Sequence, residues 1–306
     1  MVSGLNQSPL AGSFFGMRTL NLQRLHIALS LVAMATLASG CASLISNAAS
    51  NLADNLSSAM LNQDDPETVR AGSPSYMLLL DSFVEGSPND PTLLAAAANM
   101  YASYGAVFVD DEARAMRLTA RARGYASRAI CVVYVAACDW RGMSYDDFVA
   151  SLDGLNEKHA DMVYAYGIAT LAYLRARSSD WNTLAELPQA EALLKRYLAI
   201  SGSAAKNSAH MYLGIILTLR PPALGGKPEE ARTHFEKAIA LSGGRDLGAK
   251  IEFAKGYAKL LYERELHDRL ITEVLEASPY ADRLTLTNVL AQEEAVRLRA
   301  AADEYF

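Results

Sequence analysis

The sequence predicts an all-α fold built as an array of antiparallel helical hairpins. Three observations carry this. Many segments are alanine-rich, with strong helix propensity. Few windows alternate apolar and polar residues with the period of two that a half-buried strand needs. Helical segments of moderate length arrive in pairs with short joints, as helical-hairpin arrays do. The 306 residues, 51% hydrophobic and 20% charged, suffice for one large domain. A formal net charge of −6 without any basic run argues against nucleic acid as the partner.

Residues 1–40 read as an export signal. No acidic residue precedes Asp54, and Arg18 and Arg24 give a positive start. The apolar stretch from Ile27 to Ala38 has signal-peptide length and is too short for a permanent span. Met17-Arg18 would open a more usual signal, so residues 1–16 read as an over-long start. The segment ends in Leu37-Ala38-Ser39-Gly40-Cys41, which resembles a bacterial lipobox with Ala38 where leucine is favoured. That resemblance implies lipidation of Cys41 and cleavage just before it. Ala42, in place of aspartate, implies sorting to the inner leaflet of the outer membrane. Acyl chains in the plural supply the anchoring that one chain cannot.

Residues 41–63 read as a lipidated tether entering a first helix, and residues 64–306 as one helical domain. Asp64-Asp65-Pro66 and Gly72-Ser73-Pro74 are read as turns, with a helix over Tyr76–Glu85. Thr92–Val109 is a strongly apolar helix. Asp110-Asp111-Glu112 places acid at the next helix start, where the macrodipole favours it. That helix runs to about Tyr134. Ser144 is the expected N-cap of Met143–Leu155. Lys158–Arg177, Pro188–Ile200 and Ala205–Leu219 follow, then Glu229–Leu241 with Pro228 as its first residue. Leu247–Arg264, Leu266–Ala277 and Arg283–Asp303 complete the chain.

Cys131 and Cys138 lie seven residues apart. On one continuous helix that is about 10.5 Å along the axis, beyond the roughly 7 Å that a disulfide spans between Cα atoms. A bond needs the helix to break between them, so the expectation is two buried free thiols packing as small hydrophobes.

The hairpin signal is clearest from 205 to 241, where it resembles a degenerate tetratricopeptide repeat. Gly214, beside Leu213, sits on one helix, and Ala231, Phe235 and Ala238 form a small-large-small stripe on the next. Gly214 and Ala231 allow close approach, and Phe235 fills the space beside Ala238. Tyr166-Gly167 with Ala190 and Leu194 is a weaker copy. The joint in the first copy is enlarged. Its residues Arg220, Pro221, Pro222, Gly225 and Gly226 fix a loop shape, read as a rigid joint or as a rim contacting a partner.

No catalytic constellation emerges, and no metal or cofactor is expected. The histidines His26, His159, His210, His234 and His267 are far apart in sequence, without metal-ligand spacing. There is no Gly-x-Ser-x-Gly elbow. Gly225-Gly226-Lys227 lacks the upstream glycine of a phosphate loop and has Pro228 where Ser or Thr would follow. Asp268-Arg269 reads as an internal ion pair or cap. Tyrosines and alanines on Thr92–Val109 and Lys158–Arg177 would suit a pore lining, but read better as core.

Taken with the lipoprotein signal, the Arg220–Gly226 loop, the Phe235 stripe, Asp268-Arg269 and the ending Asn288…Ala302-Asp303-Glu304-Tyr305-Phe306 resemble the T component (TatT) of tripartite ATP-independent periplasmic (TRAP) transporters. The resemblance implies a non-enzymatic periplasmic lipoprotein that binds the solute-binding P component. It also implies possible assembly as a homo-oligomer (a trimer) and the passing on of a hydrophobic ligand. The alternative is a general helical-repeat scaffold for assembling envelope complexes.

Overall fold

The computed structural model describes residues 51–202 and 206–306; the signal segment and Cys41 lie outside the described residues. Among the described residues every regular element is helical and none is a strand. A helical segment over residues 51–61 is docked on the domain, where the Tyr76 hydroxyl donates to the Ala53 carbonyl at 3.1 Å.

Helix α1 spans Pro66–Gly86. Its N-cap, Asp65, accepts from the Glu67 amide, and Pro66 stands where a missing N–H costs nothing. The turn expected at Gly72-Ser73-Pro74 is absent, because the helix runs through Pro74. The proline removes one backbone donor. Burial of Val69, Tyr76, Met77 and Leu80 on one face outweighs that loss. Ser73, itself buried, donates to the Val69 carbonyl at 2.6 Å one turn back. Helix α2 (Pro91–Val107) is capped by Asp90, and α3 (Glu112–Val133) by Asp111, which accepts from the Arg114 amide at 2.6 Å.

The expectation of free, buried thiols is overturned here. Helix α3 stops at Val133, and Tyr134 leaves the helical region for extended backbone. The chain then doubles back in a 3₁₀ segment, Val135–Gly142, bringing the Cα atoms of Cys131 and Cys138 to 4.6 Å in a disulfide. The continuous helix on which the distance argument rested is broken at the place a bond requires, and Cys138 is exposed.

Helix α4 (Tyr145–Ser151) starts at the anticipated cap, Ser144, whose hydroxyl accepts from the Asp147 amide. Then come α5 (Ala160–Arg175), the short α6 (Trp181–Leu184), α7 (Leu187–Ile200), α8 (Lys206–Thr218) and α9 (Pro228–Leu241). Helix α10 (Leu247–Glu252) passes into a π turn, Phe253–Ala258, and the chain turns at Tyr262 with φ 57°. The single helix expected over Leu247–Arg264 is therefore interrupted and shorter. Helices α11 (Arg264–Glu276), α12 (Thr285–Ala300) and α13 (Ala302–Tyr305) follow.

Helices pack as pairs: α2 on α3, α5 on α7 with the short α6 in their joint, and α8 on α9. Each pair uses a glycine for close approach. A Cβ on Gly214 would lie 2.7 Å from the Phe235 ring, and one on Gly167 would lie 2.8 Å from Leu194. A third instance escaped the sequence reading: a Cβ on Gly105 would sit 3.2 Å from Leu118 and 3.3 Å from Thr119. Ala231, Phe235 and Ala238 are fully buried, as are Ala190 and Leu194. The tyrosines and alanines of α2 and α5 are mainly core, with Tyr101, Tyr104, Tyr166, Ala165 and Ala169 all buried.

Candidate interaction site

The joint between α8 and α9 is a closely hydrogen-bonded surface loop. Leu224 and Gly226 each donate a backbone N–H to the Pro221 carbonyl, at 2.9 and 3.1 Å. The Lys227 amide closes the loop onto the Leu217 carbonyl at 2.9 Å, so a helix-end carbonyl is satisfied by the loop's own backbone. Gly225 has φ 88°, which favours glycine. At Gly226 a Cβ would run into the Arg220 carbonyl oxygen. Lys227 Nζ then ties the loop to α7 through both carboxylate oxygens of Glu191, at 2.8 and 3.0 Å. Pro221, Pro222 and Gly225 are exposed on this frame, and Leu224 is 47% exposed. The loop is thus tied down by backbone and side-chain hydrogen bonds and presents an apolar tip.

The residues that carry the family resemblance are mostly structural. Asn288 is fully buried and bonds three segments. Its Oδ1 accepts from the Leu247 amide at 2.9 Å, and its Nδ2 donates to the carbonyls of Arg245 and Pro279 at 2.9 and 3.0 Å. Asp268 and Arg269 do not pair with each other, contrary to one expectation. Asp268 receives Arg264 and His267, and Arg269 reaches Glu273 at 3.0 Å. Arg264 also contacts Asp303, so the Asp268 pair and the chain's last residues meet through one guanidinium.

Tertiary structure creates further polar groupings that sequence spacing hid. The buried Asp81 carboxylate accepts from the Tyr101 and Tyr125 hydroxyls and from Arg121, all at 2.7–2.8 Å. Arg123, 7% exposed, forks onto Glu186 and lies over the Tyr173 ring. Its Nε and the Thr170 hydroxyl remain unpartnered beside a narrow cavity between α3, α5 and α7. His210 and His234, 24 residues apart, meet across the α8–α9 hairpin with Nδ1 atoms 2.8 Å apart. The readable signal for that meeting was their position on the hairpin itself: His210 is one turn before Gly214, and His234 adjoins Phe235.

Asp246 caps α10 and accepts from the Ala249 amide and from Asn207. Burial raises its pKa above the ordinary carboxylate value, against the lowering by those hydrogen bonds. Its charge therefore costs stability above the folded pKa, and the cost vanishes once both folded and unfolded states are protonated. Asp246→Asn, which keeps the cap, should raise Tm at pH 7 by about 2–4 °C. The gain should shrink as pH falls through the carboxylate range. Calorimetric melts at several pH values would measure it, and an equal gain at pH 3 would contradict the assignment.

Among the described residues no helix is long and apolar enough to cross a membrane. A search of curated proteins finds no match to the chain. The family model for the TRAP transporter T-component matches residues 62–306, which is the greater part of the chain and includes the α8–α9 loop, Asn288, Asp268 and the Asp303 terminus. The chain belongs to the TRAP transporter T-component family and is an accessory component of such a transport system.

Proposed function

We propose that this protein is a periplasmic, lipid-anchored accessory subunit that binds the solute-binding P component and passes a hydrophobic ligand to or from it. The family match carries this reading. In it, residues 1–40 are removed, Cys41 bears the lipid on the inner leaflet of the outer membrane, and residues 64–306 form the working domain. The Cys131–Cys138 disulfide supports export, since such bonds persist in oxidising compartments and are rare in the cytosol. The exposed Leu224 tip, held on a hydrogen-bonded frame, suits a partner contact, because a pre-ordered loop loses less entropy on binding. The protein acts by binding rather than by catalysis, and several copies assemble, as a trimer.

A mild-crosslinking pull-down from native membranes tests this. A periplasmic solute-binding protein should dominate the recovered material, and Leu224→Asp should reduce its yield without changing helicity. Recovery of envelope-assembly machinery in its place would assign the protein to general scaffolding. For the anchor, Cys41→Ala should shift the protein from the membrane to the soluble fraction, or leave an uncleaved precursor. Normal processing with unchanged membrane attachment would remove lipidation from the reading.

A further inference from the structure

We propose that the outer face of α1, with a row of arginines on α3 beside it, lies against the anionic lipid surface that holds the anchor. The proposal rests on lipidation of Cys41. Ala71, Ser75, Leu78, Leu79 and Ser82 recur at helical spacing on α1, all exposed and none charged. Leu78 is 69% exposed and Leu79 37%, both far from the helix ends. Neighbouring leucines on an uncharged helix face suit burial at the boundary of headgroups and acyl chains, as in helices that lie in the membrane plane.

Arg114, Arg117, Arg121 and Arg128 are exposed on α3, within an arc of about 60° at 3.6 residues per turn. The helix holds five arginines against one acidic residue, in a chain of net charge −6. Arg121 bonds Asp81 on the flank of α1 at 2.8 Å, which sets the row beside the leucine face. Arg114 lies over the Tyr104 ring at 5.4 Å, and Arg128 over Tyr125 at 5.8 Å. A guanidinium resting on a ring keeps its N–H edge for phosphate oxygens. Arg114 and Arg117 make no ion pair among the described residues.

The tether meets α1 on its other flank, where the Ala53 carbonyl accepts from Tyr76. Tyr76 and Asp81 are about 140° apart around the helix, and the exposed leucines lie in the wider arc between them. Leu52, next to Ala53, is 45% exposed. Nine residues, 42–50, separate Cys41 from the described segment, and none is charged. They reach at most about 35 Å, so the α1 edge of the domain stays near the bilayer. There the arginines feel the attraction of anionic headgroups, which decays within a Debye length.

The test uses the lipidated chain, extracted from membranes and returned to vesicles of equal parts phosphatidylethanolamine and phosphatidylglycerol with brominated acyl chains. Leu78→Trp, at an exposed position, is the reporter. The wild-type chain, with buried Trp140 and exposed Trp181, gives the background. The reporter should be strongly quenched in these vesicles and far less in phosphatidylcholine. Arg114→Gln and Arg117→Gln should each lower the ratio of docked to undocked protein about fivefold. Salt at about 1 M, with a Debye length of about 3 Å, should also undock it. An unquenched reporter on chains that float with the vesicles would overturn the proposal, as would quenching that neither arginine substitution moves. A reporter already shielded in detergent, in an assembly that Leu78→Asp splits, would assign the face to a second copy instead. Failure of the anchor shows separately, as chains that no longer float, and removes the premise.

Discussion

Phe235→Ala should destabilise the protein by about 3–5 kcal/mol, the range for deleting a fully buried aromatic ring. Phe235 is 0% exposed, stacks on Phe253 at 5.2 Å, and occupies the space left by the missing side chain of Gly214. The close-approach argument makes a sharper demand than the single value. Gly214→Ala should itself cost about 1–3 kcal/mol through overpacking, because its Cβ would meet the Phe235 ring at 2.7 Å. Placed on Phe235→Ala, the same methyl should cost much less, since the ring it collides with is gone. Urea unfolding of the double-mutant cycle would measure the coupling. Strict additivity would mean that glycine is not there to admit the ring.

The second large effect is expected at Asn288. Leucine there would abolish three hydrogen bonds and leave the Leu247 amide and two carbonyls without their partner. The expected loss is about 3 kcal/mol or more, given about 1–3 kcal/mol for each buried polar group left unsatisfied. Asn288→Asp should do no better at neutral pH, because it sets a carboxylate against the Arg245 and Pro279 carbonyls. A thermal melt in which either variant matches the wild type would show that the three segments are held by packing alone. The expected defect is one of stability, with no direct effect on partner binding, and this separates Asn288 from the Leu224 tip.

The sequence announced most helix starts because capping is local chemistry. Asp111, Ser144 and Pro228 act within one turn of themselves, and each stands where it was expected. The Gly214–Phe235 and Gly167–Leu194 contacts were legible for a related reason: the partners lie on consecutive hairpin helices, so spacing implies contact. Pro74 misled because its local penalty is outweighed by burial of a face that only the folded chain reveals. The cysteines misled because one residue, Tyr134, turns the backbone out of the helix, and no strong breaker marks the spot. Asp81 with Tyr101, Tyr125 and Arg121 joins residues from three helices, a convergence that periodicity does not encode. Of the candidate site, the loop was readable from its prolines and glycines. The histidine pair needed the hairpin register.

The Cys131–Cys138 bond has a consequence for the timing of folding. It closes a ring of only eight residues, Cys131 to Cys138 inclusive, which by chain-entropy reckoning restrains the unfolded state by about 2.5 kcal/mol. That increment is absent while the thiols stay reduced. A reduced chain is therefore easier to unfold than an oxidised one. Once oxidised, it resists unwinding. The bond works as a latch engaged by the redox state of the surroundings rather than by a partner.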